Sequence, residues 1–185
     1  MLRSAVLLAG SFLFASASLA ATDVSMPSFT QIEAHGGAKV ILTHGPTQKV
    51  TMTKGDLKVS QIRVVNGRLD VNACPSSCPF FYKLELEIVS PNIVAIEAHG
   101  GGAVDARGRF PKQPQLSVVA HGGGAIDVRA IPADQVSATA HGGGAIRVSP
   151  LVSLNATAHG GGAITYQGNP KVTSSVYGGG AIAKD

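Results

Sequence analysis

The sequence predicts an all-β protein, a β-solenoid with an irregular N-terminal β cap, and three observations carry that expectation. First, His-Gly-Gly-Gly-Ala recurs at 99–103, 121–125, 141–145 and 159–163 and closes as Tyr177-Gly178-Gly179-Gly180-Ala181, at spacings of 22, 20, 18 and 18 residues. Repetition at so short a period is the signature of stacked units that each bury an apolar face against the next. Second, apolar and polar residues alternate around every copy, which places alternate side chains on opposite faces of a strand. Third, the chain has 23 glycines and no tryptophan, and is rich in Val, Ile and Thr, whose branched side chains suit a pleated surface. Disorder is a poor account of that glycine content, because the glycines stand at fixed places between residues that can be buried.

In chain order, residues 1–20 read as a secretory signal peptide. Arg3 supplies a basic start, Ala5 through Phe14 an apolar run, and Ser18-Leu19-Ala20 the small-residue end at which cleavage after Ala20 is expected. No cysteine follows the cut to carry a lipid anchor, and no later apolar run reaches the roughly twenty residues of a spanning helix. An exported protein, periplasmic or extracellular, is therefore expected. The whole chain carries a formal charge of +4, and loss of Arg3 would leave 14 basic against 11 acidic groups. So small and scattered an excess argues against nucleic-acid binding.

Residues 21–185 fit one domain, with 21–92 as N-terminal strands and cap and 93–185 as the repeat coils. Strands are expected at 39–43, 49–53, 61–65, 68–72 and 83–89, with Asn66-Gly67 as a two-residue hairpin turn. Cys74 and Cys78 bracket Pro75-Ser76-Ser77, and in an oxidising compartment a disulfide is expected between them. Its short loop would fix the segment that presents Phe80, Phe81 and Tyr82, either as an exposed contact tip or as rings packed on the core.

In the repeats, Ile96 and Ala98, Val118 and Ala120, Ala138 and Ala140, and Ala156 and Ala158 share one face before the glycines. Val104, Ile126, Ile146, Ile164 and Ile182 form an apolar column after them. Each unit thus reads as strand, glycine corner, strand. An imperfect earlier copy, Ile32-Glu33-Ala34-His35-Gly36-Gly37-Ala38, is close to Ile96-Glu97-Ala98-His99 with its glycines. The sixty-four residues between His35 and His99 leave its position open.

Four stretches together resemble the putative autotransporter-adhesin head GIN domain family. They are Phe29-Thr30-Gln31-Ile32, the Gly-Arg-Leu-Asp-Val run at 67–71, the string of Gly-x-Gly-Ala corners, and Tyr166-Gln167-Gly168-Asn169-Pro170. The resemblance covers nearly all of the chain after residue 20. It implies a right-handed single-stranded β-helix in an exported bacterial protein, with no established enzymatic activity and with an adhesin role. Where that family commonly has serine before the corner glycines, this chain has histidine.

If the coils lie in register, His99, His121, His141 and His159 form an outward column that Tyr177 continues. Stacked imidazoles can cover the glycine backbone, can share Zn²⁺, Cu²⁺ or Ni²⁺ through their nitrogens, or can respond to pH because crowded imidazolium charges repel. His44, before Gly45-Pro46, reads as a turn residue. No catalytic residue is assigned: Asp105 and Asp127 are expected beside Arg107, Arg129 and Arg147 as a balanced outer ladder. His-Gly-Gly-Gly resembles an esterase oxyanion loop, but no Gly-x-Ser-x-Gly turn accompanies it. The resulting expectation is a non-enzymatic binding or surface-interaction module for envelope glycans or proteins, with metal binding as the alternative. The last coil leaves an edge through which copies of the chain can associate.

Overall fold

The computed structural model describes residues 21–185. The proposed signal segment, 1–20, lies outside them. Seventeen strands follow in chain order: β1 Thr22–Asp23, β2 Gln31–His35, β3 Lys39–His44, β4 Lys49–Lys54, β5 Gln61–Val65, β6 Arg68–Asn72, β7 Glu85–Ser90, β8 Ala95–His99, β9 Ala103–Arg107, β10 Gln113–His121, β11 Ala125–Asp127, β12 Ala133–Gly142, β13 Ala145–Val148, β14 Pro150–Gly160, β15 Ala163–Tyr166, β16 Lys171–Tyr177 and β17 Ala181–Lys184. No helix occurs among the described residues. The strands form two mixed sheets and no closed barrel.

The nine-stranded sheet runs β1-β4-β7-β3-β9-β11-β13-β15-β17, and the eight-stranded sheet runs β16-β14-β12-β10-β8-β2-β6-β5. From β8 onward each glycine corner joins a strand of one sheet to a strand of the other, and equivalent strands pair in parallel. Ala98 faces Ala120, Ala120 faces Ala140 and Ala140 faces Ala158. Across the corner, Val104, Ile126, Ile146, Ile164 and Ile182 fall in one line. All these residues up to Ile164 are buried, so each unit covers the apolar side chains of its neighbours.

The three corner glycines serve different ends. The first, as at Gly142 with φ +65°, takes the left-handed backbone that a Cβ disfavours. The third, as at Gly144, closes the turn by donating its N–H to His141 O at 3.1 Å. A Cβ there would lie 2.7 Å from Ala120 O and 3.0 Å from Ala120 C, so it is close approach of the preceding unit that requires glycine. The alanine after the glycines faces outward, as Ala125, Ala145 and Ala163 are exposed; the small inward residue is the alanine before the histidine.

The early copy is not the outermost unit. β2 pairs with β6 on one side and β8 on the other, and β3 pairs with β7 and β9. The chain therefore places its first unit, turns back to add β6 and β7 beside it, and crosses over through residues 91–94 to build the rest. Antiparallel β5, β4 and β1 finish that side. The β5–β6 hairpin turns at Asn66-Gly67, both with positive φ, as the sequence indicates.

Candidate functional site

Register turns the outward residues of the eight-stranded sheet into columns. His35, His99, His121, His141 and His159 stack ring on ring, with centroids 4.6–4.7 Å apart and planes within 17° of parallel, and Tyr177 continues the stack at 4.8 Å. The structure brings together the four histidines singled out in the sequence and adds His35, whose partner the long intervening segment had hidden. The cause is local: each histidine is the last outward residue before a corner, so parallel register at the strand spacing superposes the rings. Burial lowers the His121 imidazole from its ordinary value, and neighbouring charge on His99 and His141 lowers it further; Glu97 acts in the opposite direction. His44 lies elsewhere, edge-on to Phe110.

Two residues earlier on each strand, the adjoining column reads Asp70, Glu33, Glu97, Val119, Thr139, Thr157 and Ser175. Only its first three members are acidic, so carboxylates gather at one end of the histidine stack. Glu33 Oε1 lies 3.0 Å from His35 Nε2 and 3.3 Å from His99 Nε2, and Glu97 Oε2 lies 3.4 Å from His99 Nε2. Arg68 holds the opposite oxygens, at 3.1 Å from Glu33 Oε2 and 3.7 Å from Glu97 Oε1. Asp70 Oδ1 is 3.8 Å from His35 Nε2, while its other oxygen accepts from Arg63 at 2.9 and 3.0 Å. Glu33, His35 and His99 form a cluster whose ligand atoms all lie within 4.8 Å of one another. Sequence reasoning missed these acids as a group. The available signal was Glu-Ala-His, present at 33–35 and 97–99 and absent from the later copies.

Further along the same face, Gln115, Gln135, Ser153 and Lys171 form one column and Ser117, Ser137, Asn155 and Thr173 another. These residues line an open groove of about 590 Å³ with Leu116, Val136 and Leu154 at its base. On the other sheet, Asp105 and Asp127 are neighbours in register. Arg107 pairs with Asp105 at 2.8 Å, Arg129 with Asp127 at 2.6 Å, and Arg147 with Asp127 at 3.7 Å. Partial burial acts to raise the Asp127 carboxyl, but hydrogen bonds and charge from Arg129 prevail and hold it below its usual range. Such arginine-locked carboxylates are poorly placed for acid-base work.

Cys74 and Cys78 are joined in a disulfide. Beyond it Phe80 and Phe81 are 97% and 95% exposed. Tyr82 instead packs on the core, its hydroxyl 2.6 Å from Ser60 Oγ and accepting from Asp56 N at 2.7 Å. The apolar tip is thus the phenylalanine pair alone. Among the described residues no helix is long and apolar enough to cross a membrane.

Glycine-cornered parallel units carrying side-chain columns on an outward face define a class of repetitive all-β proteins. Within that class, the family described as "Putative auto-transporter adhesin, head GIN domain" matches residues 28–116 and 112–170, and the chain belongs to it. Among solved structures, a "putative adhesin" from Bacteroides fragilis NCTC 9343 is similar at 19% identity, with 92% of this chain and 98% of that one covered and a TM-score of 0.51. A "putative adhesin" from Parabacteroides distasonis ATCC 8503 aligns at 13% identity over 90% of this chain and 96% of that one, with a TM-score of 0.49. No curated protein matches the sequence.

Proposed function

We propose that the protein is an exported, non-enzymatic surface-interaction module of adhesin type, a single domain over 21–185 folded as a right-handed single-stranded β-helix. Parallel pairing of every unit from β8 to β17 supports the β-helix reading. Family membership supports the adhesin reading, and the signal-like residues 1–20 support export. The observation that carries the function is the grid of amides and hydroxyls on the eight-stranded sheet. Gln115, Gln135 and Ser153 beside Ser117, Ser137 and Asn155 offer donors and acceptors repeated at the strand spacing of about 4.8 Å. A partner with its own regular array of hydroxyls, an envelope glycan, matches that grid better than a protein surface does.

The test is a glycan array probed with chelator-treated protein, repeated with Gln135→Ala/Asn155→Ala. Each lost hydrogen bond is worth about 1 kcal/mol, so the double variant is expected to lose roughly tenfold or more in affinity. Retention of no glycan, or equal retention of the variant, would refute the glycan reading.

Metal binding is the second reading, through His99, His121, His141 and His159. Two nitrogens on one zinc ion lie at most about 4.2 Å apart. Successive rings with centroids 4.6–4.7 Å apart have to close up to share an ion, and beyond His99 the adjoining column offers no carboxylate to help hold one.

A further inference from the structure

We propose that the N-terminal end of the histidine column is a divalent-cation site, with His35 Nε2, His99 Nε2 and Glu33 Oε1 as protein ligands and Zn²⁺ as the ion it takes best. This site is independent of the glycan grid and needs no ring beyond His99.

Donor geometry carries the assignment. Ligands on tetrahedral zinc at bonds of about 2.0–2.1 Å are separated by roughly 3.3–3.4 Å. The His35–Glu33 and His99–Glu33 nitrogen-oxygen separations are 3.0 and 3.3 Å, and all three ligand atoms lie within 4.8 Å of one another, so the two stacked rings, with centroids 4.7 Å apart, need only tilt their nitrogens together on the ion. Two imidazole nitrogens and one carboxylate oxygen, with solvent to complete the shell, also form a donor set that zinc, copper(II) and nickel(II) all accept. All three side chains are part-exposed, between 16% and 30%, so an ion can enter from solvent.

Charge points the same way. Asp70, Glu33 and Glu97 are direct neighbours on adjacent strands, an arrangement of like charges that costs stability unless cations offset it. Arg63 and Arg68 offset part of it from the far side of the carboxylates. Arg68 takes Glu33 Oε2 and Glu97 Oε1, which leaves the ligand oxygen Glu33 Oε1, and beside it Glu97 Oε2, turned toward the imidazoles. It orients both carboxylates, as outer partners of metal ligands do. Beyond His99 the column of acids ends, since Val119, Thr139 and Thr157 stand where Glu97 stands, so His121, His141 and His159 have no such partners.

Calorimetric titration of metal-stripped protein with zinc chloride tests this, with cobalt(II) absorption as a second readout. One ion per chain and an intense tetrahedral cobalt spectrum are expected. Glu33→Gln and His35→Gln should each weaken zinc at least about tenfold, and Arg68→Gln by about tenfold, while His141→Ala changes neither heat nor spectrum. Circular dichroism of each variant separates loss of ligand from loss of fold, and His99→Gln, on a more exposed ligand, is the alternative if Glu33→Gln does not fold. Absence of zinc uptake by the folded wild type would overturn the site. So would equal loss in His141→Ala, which would move the ion into the stack. A negative glycan array leaves these outcomes unaffected.

Discussion

Replacing Gly144 by alanine is expected to damage the fold more than the same change one corner away, at Gly123. At 144 the added carbon would sit 2.7 Å from Ala120 O and 3.0 Å from both Ala120 C and Cβ. These distances are roughly 0.5–1 Å inside van der Waals contact, and the opposing atoms are mainly backbone. Relief requires the preceding unit to move away, which stretches the bond from Ala145 N to Gly124 O, now 2.9 Å. Overpacking of this kind costs about 2–3 kcal/mol, or about 5–10 °C in Tm for a chain of this size. At Gly123 a Cβ meets only Gly101 backbone atoms at 3.9 and 4.0 Å, and φ is not positive. Gly123→Ala should therefore be neutral or stabilise by about 0.5 kcal/mol, through a less flexible unfolded chain. Thermal and urea unfolding followed by circular dichroism measure both. A Gly144→Ala melt within about 1 °C of wild type, or equal damage from Gly123→Ala, would refute close approach as the reason for the third glycine.

Three further outcomes follow from the same geometry. Because the folded His121 imidazole is held below its unfolded value, the unfolded chain binds the proton more readily; Tm should fall as pH drops through the ordinary histidine range, and His121→Phe should flatten part of that fall. A Tm constant from pH 7.5 to pH 5 would contradict this. Joint replacement of Cys74 and Cys78 by serine should cost about 2 kcal/mol, the entropy of closing so short a loop, with the circular dichroism spectrum unchanged. Phe80→Ser/Phe81→Ser should leave the Tm within about 1 °C of wild type, since neither ring is buried, whereas Tyr82→Ala should lower it by several degrees through loss of packing and of the Ser60 and Asp56 contacts.

The repeating half was legible because one local pattern does three jobs. Alternation sets the buried face, glycine sets the corner, and the fixed interval between them sets the register that lines up His99 through Tyr177. The first half was legible as strands but not as an arrangement. Lys39–His44, Lys49–Lys54, Gln61–Val65 and Arg68–Asn72 emerge close to where alternation puts them. Their partners are long-range choices that no local signal encodes, as when β2 selects both β6 and β8. The same gap hid the cluster at Glu33, because its second histidine and second glutamate arrive sixty-four residues later. The sequence left Phe80, Phe81 and Tyr82 alike open between an exposed tip and the core, and it is the packing of Tyr82 and its contacts with Ser60 and Asp56 that separate it from the two phenylalanines.

The interior position of β2 and β3 has a bearing on how the molecule is assembled. The segment from Gln31 to His44 offers a template on both flanks, one claimed by residues 68–90 and the other by residues 95–107. The fold therefore extends in two directions from this one unit, and the join between its two arms is where Glu33 and His35 meet Glu97 and His99. A lesion in Ile32 or Val40 would uncouple the arms from each other, while one in Ile164 would trim only the far arm.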